Sequence, residues 1–419
     1  MTKQIITKKE KKILLENFFS LSTLQGFNYI LPLVILPYMV RVIGPEKFGL
    51  IAFAQAFVQY FMILTDYGFS ISATREISLC QGHKAKTCAV FSSVMTVKFI
   101  IAAICCVIMA LLVHFVPRFR ADQLVYIYSF GAVIGNTLFP VWFFQGAEKM
   151  KYITIINAIF GTIYTVSIFI FVRNQAHYLM IPLLTSLFSL ATGIYGLFIA
   201  FRRFEISFIP QPLANIRQQL KTGWNIFISI VAINAYTTTR IFAVGLLTNN
   251  TITGFYSIAE KIANFVQTFP LASLSQALYP RINRIFAKNQ QRAIKLMNKI
   301  QISTTLIYIA VIPMIYLICP IIVRLICSSP YPEVIISLRL LLISVFFICA
   351  NAFRVQFLLV CGRSDLYSKL HIIAALAGLP LIFILIYSFS YQGAAISTII
   401  IEAIVLLLTA EIITELTQV

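Results

Sequence analysis

Charge is what the chain has least of. Only 11% of its 419 residues are Asp, Glu, Lys or Arg, and 59% are hydrophobic, whereas soluble domains carry about a quarter charged residues. That balance excludes a soluble enzyme. Acids are the scarcest charged class, 14 against 33 basic residues. In a soluble protein such a surplus would point to nucleic acid, but here the bases lie between apolar runs, so nucleic acid is not expected as a partner. The excess reports topology and contact with lipid headgroups. The four histidines, His83, His114, His177 and His371, are far apart, and the eight cysteines form no C-x-x-C; neither a metal site nor a disulfide framework is expected. The phosphate loop GxxxxGK, the GxSxG elbow, HExxH and GxGxxG are all missing, so no catalytic residue and no cofactor is expected.

What the chain does have is long apolar runs. A helix crosses a bilayer with about 20 apolar residues, and interruptions by charge or by Pro, Gly and Asn clusters define twelve segments. Six lie at 18–40, 48–70, 90–116, 122–145, 153–172 and 178–201. Six more lie at 223–247, 252–278, 301–327, 334–361, 368–389 and 391–413. The expected organisation is a basic arm over 1–17, an N-lobe over 18–201, a linker over 202–222 and a C-lobe over 223–419. The arm and first segment resemble a secretion signal in outline, but the apolar run is too long and shows no small-residue cleavage site, so it is read as a retained helix. Ile5 to Phe18 sets Ile and Leu against Lys8, Lys9, Lys11 and Lys12, as expected either of a segment lying on an anionic leaflet or of a frayed basic tail. With the first residues inside, the inner connections hold 22 Lys and Arg against five outside, namely Arg41, Lys47, Arg118, Arg120 and Arg173. Both termini are therefore expected in the cytoplasm.

The halves repeat. KFGLIAFAQAFVQYF aligns with ITGFYSIAEKIANFVQTF, placing Gly49 on Gly254 and Arg75 on Arg281, and FFQGAEKMKY aligns with LVCGRSDLY, placing Gly146 on Gly362. Six crossings return a chain to its starting side, so the repeats are parallel, related by an axis along the membrane normal. The fold expected is an all-α membrane protein of about twelve transmembrane helices in two six-helix repeats. Prolines at 32, 37, 140, 182, 270, 313, 320 and 380 are expected to permit bent helices.

Ionisable residues inside apolar segments cost about 2.5–3.5 kcal/mol each at a helix centre and mark cavities or partners. Arg240, in NAYTTTRIFAVGLL, and the neighbours Glu260 and Lys261 lie at similar depth on consecutive segments. Either Arg240 and Glu260 form a neutralising pair, or a surplus positive charge remains for an anionic substrate. Arg354 is either a lower step of the same cationic path or a side chain reaching the inner headgroups. Arg324, Arg339 and Lys98, near segment ends, are expected to snorkel to the headgroups. Glu402, deep in the last segment, and Asp66, at the end of the second, are candidates to take up H⁺ or Na⁺, or to serve as hydrogen-bonded structural acids.

The stretch FSLSTLQGFNYILPLVILPYMVRVIGPEKFGLIAFAQAFVQYFMILTDYGFSISATREIS resembles the polysaccharide transporter family, which includes the Wzx-type O-antigen flippases. The similarity lies in PYMVRVIG, the G-x-x-x-F-G turn, DYGF and the TRE that follows, with FPVWFFQGAEKMKY adding to it. The resemblance implies a MATE-like fold of two six-helix lobes around a central cavity. It implies as substrate an undecaprenyl-diphosphate-linked oligosaccharide, carried from the cytoplasmic to the periplasmic leaflet of a bacterial inner membrane. Arg240, Lys261 and Arg354 are the positions expected in its cationic cavity. Partners beyond the lipid-linked sugar and the bilayer would be a polysaccharide polymerase and a chain-length regulator. Two other readings stand beside this one. A MATE-like exporter of cationic drugs would want cavity acids, against six basic and three acidic residues within segments. A polymerase or ligase would want a large outer loop.

Overall fold

The computed structural model describes the main chain of residues 8–80, 82–286 and 288–418, and side chains from residue 31 onward except 269, 273, 276, 277, 279–281, 283, 284, 364 and 415–418. Of the amphipathic arm expected over 5–18, residues 5–7 and the side chains of 8–18 lie outside the described residues, as does the side chain of Arg281. Helices carry the chain, with no strand among the described residues. In order they are α1 (Lys8–Asp66), α2 (Phe69–Leu79), α3 (Lys84–Phe115), α4 (Pro117–Ala121), α5 (Gln123–Leu138), α6 (Val141–Gly146), α7 (Met150–Phe171), α8 (Met180–Arg203) and α9 (Leu213–Thr237). They continue as α10 (Thr239–Leu247), α11 (Asn250–Phe286), α12 (Gln290–Cys327), α13 (Pro332–Cys349), α14 (Ala352–Val360) and α15 (Ser364–Gln418).

Eight stretches among the described residues are long and apolar enough to cross a bilayer, nine when α9 and α10, bent by 46°, are taken as one. The chain is a multi-pass membrane protein. Two of those stretches, of 49 and 50 residues, would each run about 75 Å as a straight helix, far more than the roughly 30 Å of hydrocarbon. Each is interrupted where the sequence places a boundary. In α1 the backbone leaves helical geometry at Gly44 (φ 77°, ψ 165°). In α15 it leaves at Ser390 (φ 53°, ψ −135°), and a Cβ on Gly393 would come within 1.9 Å of the Leu385 carbonyl. Residues eight apart on one helix stand about 12 Å apart, so α15 folds back on itself there. Exposed aliphatic residues at helical spacing, Ile100, Ile104, Val107, Ile108 and Leu111 on α3, form a lipid-facing stripe.

Three segments expected to be continuous are broken, among them 223–247, where α9 gives way to α10. The 122–145 segment stops at Phe139 (φ −77°, ψ 108°) and restarts as α6 after Pro140, because a residue before proline is driven out of helical geometry and proline has no N–H to donate. The 334–361 segment breaks at Ala350 and Asn351 without a proline. There Gln301 of α12, 2% exposed, supplies the missing partners: its Nε2 donates to the Cys349 carbonyl at 2.9 Å, and its Oε1 accepts from the Phe353 N–H at 3.1 Å. Pro313, Pro320 and Pro380, by contrast, lie inside α12 and α15, so most of the breaks are not at prolines.

Contacts divide the chain into two compact units, Met1–Ile35 with Phe57–Ile230, and Leu36–Ala56 with Val231–Val419. The residues of DYGF, TRE and FPVWFFQG lie in the first unit, whereas PYMVRVIG and the G-x-x-x-F-G turn lie in the second. Tyr67 and Gly68 take positive φ between α1 and α2, and Tyr67 stacks on Phe227 with centroids 4.6 Å apart. Thr74 donates to the Trp142 carbonyl at 3.2 Å, within an aromatic core of Phe69, Phe91, Trp142, Phe143 and Phe144. α5 and α8 pack through small residues, with a Cβ on Gly193 only 2.5 Å from the Gly135 carbonyl, the close approach that substitutes for a hydrophobic drive in lipid.

In the second unit, Gly49 and Gly254, equated by the sequence repeat, meet directly; a Cβ on Gly49 would fall 2.5 Å from the Gly254 nitrogen and 1.8 Å from the Asn250 carbonyl. Arg41 donates through Nε to Ile326 O at 3.2 Å and through Nη2 to Leu325 O, placing a cation on the C-terminal carbonyls of α12, where the helix dipole favours it. Gln301→Leu is expected to leave two buried main-chain groups unpaired and to lower stability by about 1–3 kcal/mol for each; the thermal unfolding midpoint of the purified protein reads the loss.

Candidate functional site

α9 ends at Thr237 and α10 starts at Thr239. The bend leaves carbonyls at the end of α9 without helical partners, and Arg240, the second residue of α10, turns back to fill one: its Nε donates to Thr237 O at 3.2 Å. The rest of the guanidinium reaches across the second unit. Nη1 donates to the Thr398 hydroxyl of α15 at 2.9 Å, and Nη2 stands 3.6 Å from Glu260 Oε1 of α11. The two side chains are 12% and 8% exposed. Thr398 passes its own proton to the Ala394 carbonyl at 2.8 Å, so its oxygen is free to accept from Arg240. Glu402, one helical turn beyond Thr398, acts electrostatically on the same guanidinium.

A second hydrogen bond extends the cluster. The Tyr236 hydroxyl and His371 Nδ1 lie 2.9 Å apart, both residues buried, and His371 Nε2 has no hydrogen-bond partner among the described residues. Tyr236 is within the fields of Arg240 and Glu402. Two carboxylates, one guanidinium and a tyrosine–histidine pair are thus collected where α9, α10, α11 and α15 meet.

The structure brings Arg240, Glu260 and Glu402 together and forms the Arg240–Glu260 pair. Lys261 follows on α11 as an exposed cation, with Glu260 the charge acting on it. Arg354 is half-buried on α14 just after the break, and no carboxylate among the described residues lies within ion-pair distance of it. Asp66 closes α1 in the first unit, where its charge acts on Lys98. Lys98 does not snorkel: it is 2% exposed, with Nζ 3.4 Å from the Asn136 carbonyl, because its position on α3 faces α5 and not the lipid stripe. Arg339 lies over the ring of Tyr316, 4.8 Å from its centroid.

Sequence reasoning passed over the uncharged partners. Thr398, Tyr236 and His371 carry no charge that marks them within a segment. A cavity of about 420 Å³ in the first unit, between α1, α5, α7 and α8, has among the described residues no ionisable lining residue except Tyr164. The signal available for it was a pair of amides in apolar runs, Asn136 in AVIGNTLFP and Asn157 in TIINAIFG.

A family model described as "Polysaccharide biosynthesis protein" matches residues 14–286. The chain belongs to that family. It is 32% identical over 397 residues, 94% of this chain and 95% of the relative, to a "Putative O-antigen transporter" of Escherichia coli (strain K12). A protein of the same name from Shigella dysenteriae is 24% identical over 398 residues, covering 94% of this chain and 98% of its own. The polysaccharide biosynthesis protein has the fold of an inward-facing MATE family multidrug resistance transporter of the MOP superfamily, with TM-score 0.75 at 15% identity over 95% of this chain and 96% of that one. It also has that of the lipid II flippase MurJ in an inward closed conformation, with TM-score 0.77 at 12% identity over 94% and 87%. These relatives are named as transporters and a flippase, not as enzymes.

Removing one member of a buried ion pair strands the other and costs about 3–5 kcal/mol, while removing both charges costs far less. Arg240→Gln is therefore expected to lower the thermal midpoint of the purified protein more than Arg240→Gln combined with Glu260→Gln does.

Proposed function

We propose that this polysaccharide biosynthesis protein is a flippase that moves an undecaprenyl-diphosphate-linked oligosaccharide from the cytoplasmic to the periplasmic leaflet of a bacterial inner membrane. The observation that carries the reading is the buried Arg240, held by Glu260, Thr398 and the end of α9, in a chain 32% identical to a named O-antigen transporter. A guanidinium is suited to a diphosphate because its fork of donors matches phosphate oxygens. The sugar portion would travel within the protein while the polyprenyl tail stays in lipid.

In this reading the chain crosses the membrane twelve times, six in an N-lobe over 18–201 and six in a C-lobe over 223–419, as parallel repeats with both termini in the cytoplasm. The breaks at Gly44 and Ser390 support counting each of the two overlong stretches as a pair of crossings. The contact of Gly49 with Gly254 supports the repeat, since equivalent positions can meet only at the axis relating them. Arg240 is the principal cation for the diphosphate, and Lys261 and Arg354 are further positive positions along its route. Glu260 and Glu402 compete with the diphosphate for Arg240, so occupancy of the guanidinium by substrate or by carboxylate distinguishes loaded from empty protein. Proton or Na⁺ uptake at Glu402 or Glu260 would release Arg240 and couple transport to an ion gradient, and Asp66, whose charge acts on Lys98 in the first unit, is a further candidate for ion uptake. A polymerase and a chain-length regulator would act on the product.

An exporter of cationic drugs is the runner-up, favoured by the MATE fold. Against it stands the second unit's carboxylate Glu260, already neutralised by Arg240.

The test is translocation in liposomes containing a short lipid-linked oligosaccharide labelled in one leaflet. Label is expected to cross only with the protein present, and Arg240→Ala is expected to slow crossing at least tenfold. The Arg240→Gln, Glu260→Gln double variant, in which no charge is stranded, serves as a folded control and should be equally slow. Full transport by the folded double variant would remove Arg240 from the mechanism. If Glu402 couples transport, Glu402→Gln should abolish the response of crossing to an imposed pH gradient; an unaltered response would exclude it.

A further inference from the structure

The cavity of the first unit lies well inside the hydrocarbon. Its α7 wall runs from Asn157 to Thr165, seven to fifteen residues beyond the first residue of α7, or about 10–22 Å along the helix, in the middle of a slab about 30 Å thick. At about 420 Å³ it has the size of a small-molecule site. For that depth its lining is unusually polar and, among the described residues, carries no Asp, Glu, Lys, Arg or His.

The polar groups come from three helices: Asn136 on α5, Asn157, Tyr164 and Thr165 on α7, and Thr185, Thr192 and Ser189 on α8, the serine donating to Ala132 O at 3.2 Å. Their hydrogen bonds leave a consistent remainder. Thr165 donates to Gly161 O at 2.8 Å, Thr185 to Ile181 O at 2.8 Å and Thr192 to Phe188 O at 2.7 Å. Each threonine spends its only proton on its own helix and keeps an oxygen that can accept. The Tyr164 hydroxyl lies 3.3 Å from that of Thr185. Asn157 gives one N–H to Ile153 O at 3.0 Å and keeps the other, with its carbonyl oxygen. The Asn136 amide has no side-chain hydrogen bond among the described residues, while its main-chain carbonyl is held by the buried Lys98. Three rings, Phe139, Phe160 and Phe188, complete the wall.

Acceptors in excess, amides offering both donor and acceptor, and aromatic faces, all without charge, match the surface of a pyranose, which has hydroxyls around its edge and C–H groups on its faces. An acyl chain would leave the remaining groups of the Asn136 and Asn157 amides without partners in a medium without water, at a cost of several kcal/mol for such groups. We propose that this cavity is a neutral-sugar subsite, which takes a sugar residue of the translocated lipid-linked glycan, separate from the charged cluster around Arg240. The assignment rests on the flippase reading above.

The experiment measures binding of two probes to the full-length protein in nanodiscs: undecaprenyl diphosphate and undecaprenyl diphospho-N-acetylglucosamine. The wild type is expected to bind the glycosylated lipid more tightly. Asn157→Leu and the near-isosteric Thr165→Val, each checked for an unchanged unfolding midpoint and elution volume, should weaken the glycosylated lipid, by at least tenfold for Asn157→Leu, and leave the bare lipid unchanged. Folded variants that bind both probes as the wild type does would overturn the sugar subsite. So would equal weakening of both probes, which would make the cavity a site for the lipid portion. A wild type that binds the two probes equally would overturn the subsite and leave the flippase reading standing. A wild type that binds neither would overturn both.

Discussion

Lipid offers no hydrogen bonds, and this constraint governs where the chain can stop being a helix. Every break within the hydrocarbon strands main-chain groups that only protein can satisfy. Long polar side chains answer this in three places. Arg41 covers the last carbonyls of α12, Gln301 bridges the gap between α13 and α14, and Arg240 fills the end of α9. Gln301 is saturated by that task. Arg240 is not, because a guanidinium has five donors, and those left over meet Thr398 and Glu260. A cation needed to close a helix end is thereby fixed at depth, with its remaining donors aimed at exchangeable partners.

Pairing makes the position tolerable. A lone guanidinium in hydrocarbon is expensive, and Glu260 repays part of that cost only while the two remain close. In the proposed flippase a phosphate group, which offers the same geometry with more charge, would compete with the carboxylate for one site. The two readings of the sequence, a neutralising pair and a substrate cation, would then describe two occupants of the same guanidinium.

Much of the architecture was legible because it follows from apolarity and turn chemistry. Boundaries near 44 and 390 stand out as polar or Gly-containing gaps between long runs, and the chain leaves helical geometry at Gly44 and Ser390. The breaks at Asn351 and Thr238 were hidden, since both lie in stretches apolar enough to read as continuous, and are satisfied by side chains, the distant Gln301 at one and the neighbouring Arg240 at the other. The Arg240–Glu260 contact was legible from matched depth of opposite charges on consecutive segments. Lys98 was misread because nearness to a segment end says nothing of which face a residue occupies; its face points to Asn136. The cavity of the first unit was not legible because nothing charged marks it in the sequence. Amides and hydroxyls at helical spacing carry no such flag, and only the packing of α1, α5, α7 and α8 brings them to one wall.

The most direct test of the exchange at Arg240 is equilibrium binding of undecaprenyl diphosphate to purified protein with and without Glu260→Gln. If carboxylate and diphosphate share the guanidinium, removing the carboxylate's charge frees donors, and the variant should bind the diphosphate severalfold more tightly than the wild type. Unchanged or weaker binding by a folded Glu260→Gln protein would show that the pair is a structural tie and that the diphosphate is held elsewhere.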